Sequence, residues 1–156
     1  MIESGYINNL LLQDDFRTYQ DHYRELLDIT EMYGYMIVSE FGDGEENGVL
    51  TNAVGASIKA NSFYSVFREI AKGFFDCFVG PIMGNRIVLL VPYKNQTITY
   101  EERVEIVTKA RNMVHKLENH IDSRFRLGIG GIRSLDGKEI KESYGEALCA
   151  LREGSG

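Results

Sequence analysis

The chain has 156 residues, 44% of them hydrophobic and 26% charged, a size that fits one domain whose core needs neither disulfides nor metal. Its net charge of −6 and the scattering of its 17 Lys and Arg exclude a concentrated phosphate-binding surface, so no direct nucleic-acid contact is expected. The longest apolar run, Ile87 to Pro92, is far too short to span a bilayer, and no basic-then-apolar leader opens the chain; a cytoplasmic protein without membrane contact is expected.

The charge is uneven along the chain. Residues 1–48 hold eleven acids against Arg17 and Arg24, a balance of −9, whereas the remainder is +3. The acidic part reads either as a solvated helix face or as a docking surface for a basic partner. Within it Tyr6, Ile7, Leu10 and Leu11, then Phe16, Tyr19, Tyr23, Leu26 and Leu27, recur at spacings of three and four. This predicts one long or two short amphipathic helices, with Asp14 and Asp15 placed to cap a second one near residue 15.

Tyr35 to Phe41, entered through Gly34 and closed by Gly42, Asp43 and Gly44, predicts a buried strand. Glu45 to Ala60 lacks periodicity and reads as a loop. Asn61 or Ser62 is then placed to cap a helix carrying Phe63, Val66, Phe67, Ile70 and Phe74 on one face, with Gly73 near its end. Cys77–Ile82 and Arg86–Val91, joined through Met83, Gly84 and Asn85, form the pattern of a tight hairpin. Pro81 cannot donate a ladder hydrogen bond, so its strand should be irregular or at an edge.

Thr99 and Glu102 have the spacing of a capping box, followed by Val104, Val107, Ala110, Val114, Leu117 and Ile121 on one stripe of a helix of about six turns. Phe125 to Ile132 reads as a strand. Asp136 to Glu139 offers a second box before a last helix with Ile140, Tyr144, Ala147, Leu148 and Leu151 inward. Cys77 and Cys149, without metal-ligand spacing, are expected to be reduced, buried thiols.

The order of elements is βαββαβ, the pattern of an antiparallel sheet with helices on one face: an α+β fold with a ferredoxin-like core and an N-terminal helical extension. Residues 1–33 would be a helical connector or dimerisation segment, 34–152 the α+β domain, and 153–156 a tail in which Gly154, Ser155 and Gly156 look like a linker or truncation scar.

Three stretches carry a more specific likeness. Val79 to Pro92 resembles the hairpin of GGDEF domains, Phe125 to Gly131 the strand leading into their final helix, and Ser143 to Arg152 that closing helix. The form Ser143, Tyr144, Glu146, Ala147, Leu148 is most similar to the degenerate GGDEF-like domains of bacterial transcriptional regulators of the sugar-diacid (CdaR/PucR) and YesN types, related in fold to diguanylate cyclases. The resemblance covers roughly residues 34–152 and implies a regulatory or interaction domain of a two-component-type regulator. Its partners would be the other domains of that regulator and a second copy met through the N-terminal helices, with the DNA-binding output lying outside this chain.

Residue by residue, the likeness implies a silent site. Active cyclases need hairpin acids for metal-assisted phosphoryl transfer, and the matching positions here are Met83, Gly84, Asn85, Arg86 and Ile87. An amide is not an anionic ligand and a guanidinium repels Mg²⁺. The family's other metal carboxylate falls near Glu40, which reads either as a solvent-facing strand-end charge or as one remaining weak cation ligand. The inhibitory Arg-x-x-Asp of the family is missing, since no arginine lies between Glu69 and Asn85. No catalytic residue, metal or cofactor is therefore expected. Asn85 and Arg86, on a turn, with Glu40, are the candidate contacts to an anionic ligand or a neighbouring domain.

Two other functions stay open: a residual cyclase-like enzyme using Glu40 with a cation, and a nucleotide or small-molecule sensor using the cleft above the hairpin. Gly128 to Gly131 lacks the Lys-Ser/Thr of a phosphate loop, and His115 and His120 sit five apart, off the spacing metal pairs prefer.

Overall fold

Tyr35, Met36, Ile37 and Val38 place apolar side chains on both faces of one strand, so layers must cover it on either side. In the computed structural model, which describes residues 2–12, 17–42, 44–46, 49–51, 56–136 and 138–153, they do. The elements run α1 (Ile2–Leu12), α2 (Arg17–Leu26), β1 (Tyr33–Gly42), β2 (Gly44–Glu46), β3 (Val49–Thr51), α3 (Ala56–Phe74), β4 (Phe78–Met83), β5 (Arg86–Tyr93), α4 (Tyr100–His120), β6 (Arg124–Ile129), β7 (Arg133–Ser134) and α5 (Ile140–Arg152). The sheet order is β4-β5-β1-β6 with every neighbouring pair antiparallel, and β7 rejoins β1 at Tyr33 and Gly34. This is the α+β, ferredoxin-like order expected from βαββαβ.

Against the first face, α3 and α4 bury Phe63, Phe67, Ile70, Met113 and Leu117 on Tyr35, Ile37, Leu89 and Leu127. Phe125 sits at its centre, its ring 5.8 Å from that of Phe63 and 6.1 Å from that of Phe67. The second face, Met36, Val38, Val88 and Leu90, is covered by Tyr6, Ile7 and Leu10 of α1 and by Ile140, Ala147 and Leu151 of α5. The two helices of the βαββαβ core, α3 and α4, thus share one face as expected, and the appended α1 and α5 cover the other, because β1 and β5 are apolar at odd and even positions alike.

Helix α1 also closes the sheet's β4 edge, where backbone groups lack a strand partner. Glu3, buried on α1, pairs with Arg68 and, at 2.9 Å, with Lys72 of α3, and accepts from the Val79 amide. Ser4 Oγ donates to the Val79 carbonyl and Tyr64 Oη to that of Gly80. The register of β4 on β5 shifts between Val79 and Ile82, around Pro81, the irregular edge that proline predicts.

Several local expectations change. Within Glu45–Ala60, read as a loop, β2 and β3 pair and α3 already begins at Ala56. Ser62 therefore lies inside the helix and donates back to the Lys59 carbonyl at 2.6 Å instead of capping it. The box at Thr99 and Glu102 forms in full, but α5 starts later than the Asp136 box predicts and opens on Glu139 without a side-chain cap, while Asp136 pairs with Arg24 at 2.9 Å. Val104 and Val66 turn outward, and the buried stripe of α4 runs through Ala110, Met113 and Leu117. Cys77 is buried as expected, while Cys149 is exposed on the outer side of α5. Asp14, Asp15 and the terminal Gly154–Gly156 lie outside the described residues.

Candidate functional site

The hairpin end of the sheet holds the three residues singled out by sequence. Gly84 alone there takes a positive φ, 64°, which places glycine at the first central position of a two-residue turn between Met83 and Arg86, as a type II′ hairpin requires. Asn85 is half-buried and tied to β1: its Nδ2 donates to the Phe41 carbonyl at 3.2 Å, and its own carbonyl accepts from the Phe41 amide at 3.0 Å. Its amide side chain extends the β1–β5 ladder.

Glu40 departs from the expected solvent-facing charge. It is 1% exposed, on the second face of β1, directly opposite Arg86 of β5 and Arg126 of β6. Alternation along β1 puts it on the same side as Met36 and Val38, under α5, and a carboxylate there must be neutralised. Arg86 Nη2 lies 3.4 Å from Glu40 Oε2, and Arg126 Nη2 donates to the Leu151 carbonyl at 2.9 Å. Structure thus brings Glu40 and Arg86 together as an internal ion pair and places Asn85 beside them as a backbone brace. No group of three or more His, Cys, Asp or Glu suited to a metal occurs among the described residues.

The opposite end of the sheet is built differently. Strand β6 stays on β1 only as far as Ile129 opposite Ile37, and β7 resumes at Arg133 opposite Gly34. In the gap the Gly130 amide donates to the Met36 carbonyl, while the Met36 amide donates to Ser143 Oγ of α5, both at 2.9 Å. A fully buried serine thus completes the hydrogen bonding that the departing strand leaves open. Close approach of α5 depends on Gly128 in β6 and Gly130 just past its end. A Cβ at Gly128 would collide with the Ala147 carbonyl, and one at Gly130 with the Ser143 carbonyl and hydroxyl. Those glycines serve helix–strand packing.

Between this break and the first turns of α4 lies a cavity of about 670 Å³. Ile106, Ile129 and Ile132 line it, with the polar side chains of Arg103, Arg133 and Glu146. Arg133 is engaged by Glu146 at 2.9 Å and has Glu142 within 3.2 Å. Sequence reading missed this site, since its lining comes from four separate segments and no motif marks it. Unexplained glycines beside Arg133 were the available hint. No family model matches the chain, and no curated protein matches it.

Proposed function

We propose that the chain is a non-catalytic regulatory module of a bacterial transcriptional response regulator, passing a signal to a DNA-binding domain outside this chain. The observation that carries the silent half is the Glu40–Arg86 pair. Where a cyclase of the resembling family needs hard carboxylate oxygens open to Mg²⁺, the carboxylate is buried beneath a guanidinium. A cation there would have to displace an arginine already seated over a buried carboxylate.

The regulatory half draws on the likeness of Ser143 to Arg152 to the closing helix of such regulators. The partners under this reading are other domains of the regulator and a second copy met through the N-terminal helices. Tyr6, Ile7 and Leu10 are already committed to the sheet, which among the described residues of α1 and α2 leaves exposed Ile2, Leu12 and Leu26 for such a contact.

The test is incubation with GTP or ATP and Mg²⁺ or Mn²⁺, followed by chromatography for cyclic products. No turnover is expected. Cyclic product that disappears in Glu40→Ala would overturn the silent reading in favour of a residual cyclase.

A further inference from the structure

We infer that the cavity at the sheet break is a binding site for a small organic anion with an apolar body, held by Arg103. Its volume, about 670 Å³, falls in the range of small-molecule sites, roughly 300–1,000 Å³. Its walls have two chemistries. Ile98, Ile106, Val107, Ile129 and Ile132 offer apolar surface, and two arginines and one carboxylate, the exposed Arg103 with Arg133 and Glu146, add charge.

The two arginines are not equivalent. Arg133 is held by Glu146 and Glu142. Arg103, on the first turns of α4, has no ion pair among the described residues. One guanidinium without a carboxylate beside apolar walls matches one anionic group attached to an aromatic or branched aliphatic body, which a guanidinium binds bidentately. It does not match a polyphosphate, which needs several cations.

The site lies at the opposite end of β1 from the hairpin. It therefore owes nothing to the Glu40 region, and it can be tested whether or not the regulatory reading holds, since binding is measured on the chain itself.

The experiment is calorimetry and thermal shift on the full chain with phenylacetate and isovalerate, with phenyl phosphate, and with the neutral isostere phenylacetamide. At least one anion should bind at millimolar concentrations, and the amide at least about tenfold more weakly. Whether the carboxylates or phenyl phosphate bind better decides between a carboxylic acid and a phosphate monoester. Arg103→Gln should weaken binding by about tenfold or more, whereas Lys116→Gln, the same charge change farther along α4, should leave it unchanged. Val107→Trp, which fills the cavity, should abolish binding while far-UV circular dichroism stays native. The inference is overturned if no anion of the panel binds, if phenylacetamide binds as well as phenylacetate, or if the Arg103 and Lys116 variants behave alike.

Discussion

Replacing Arg86 by Gln tests whether Glu40 is neutralised from within. The Glu40 side chain is 1% exposed and that of Arg86 34%, with 3.4 Å between their charged atoms. Stripping the partner from a buried charge costs about 3–5 kcal/mol. Arg126, opposite Glu40 on β6, keeps a second guanidinium nearby, which brings the expected cost of Arg86→Gln to about 2–3 kcal/mol. The reverse change, Glu40→Gln, leaves a guanidinium that still reaches water, and should cost about 1 kcal/mol. The two amides of the double variant can hydrogen-bond, so its loss should fall short of the sum by about 1–2 kcal/mol. Urea unfolding of the four proteins measures all three quantities. Strict additivity, or a loss under about 0.5 kcal/mol for Arg86→Gln, would mean that Glu40 is solvated and open to a cation. Stabilisation of the Arg86 variant by Mn²⁺ would point the same way.

Three further outcomes follow from the packing. Ser143→Ala removes the acceptor of the buried Met36 amide and should cost about 1–3 kcal/mol, read by urea unfolding together with faster hydrogen exchange at Met36. Gly130→Ala forces a methyl into the Ser143 backbone and should cost about 3 kcal/mol, at the top of the overpacking range, seen as a large drop in Tm. Burial on its own would raise the carboxyl of Glu3, but hydrogen bonds and charges from Lys72 and Arg68 outweigh it and hold the folded pKa below 4.5. A lowered folded pKa gives stability that is present above 4.5 and is lost as pH falls through the lower folded value. The Tm gap between the native chain and Glu3→Gln should therefore narrow as melts are run at successively lower pH below 4.5, and a constant gap would contradict the pairing.

Element order was legible because it rests on local signals. The capping box at Thr99, the turn at Gly84 and the apolar runs of β1 and β5 are each encoded within a few residues. What sequence reading lost was the third dimension. Continuous apolar runs state that a strand is covered on both faces, and the βαββαβ order puts α3 and α4 on one of them, but nothing local says that α1 and α5 return to cover the other. Glu40 shows the same limit. Its parity along β1 put it on the Met36 side, and only the arrival of α1 and α5 makes that side buried. The cavity was least legible of all, since Arg103 and Arg133 are thirty residues apart and come to line one cavity only where β6 leaves the sheet.

One element touches both ends of the sheet. Helix α5 supplies Glu146 to the cavity and Ser143 Oγ to the break beside it, and its Leu151 carbonyl holds Arg126, the β6 neighbour of buried Glu40. Because Gly128 and Gly130 let α5 lie directly against β6 and the residue after it, the helix has no soft layer in which to absorb a displacement. An anion at Arg103 would sit beside Arg133, whose partners Glu142 and Glu146 belong to the same rigid body that carries the Leu151 carbonyl. A shift of α5 along β6 would move both contacts together, and the hairpin end would register it through Arg126. This gives the inferred anion site a physical route to a distant surface, and the route runs through Ser143 to Arg152.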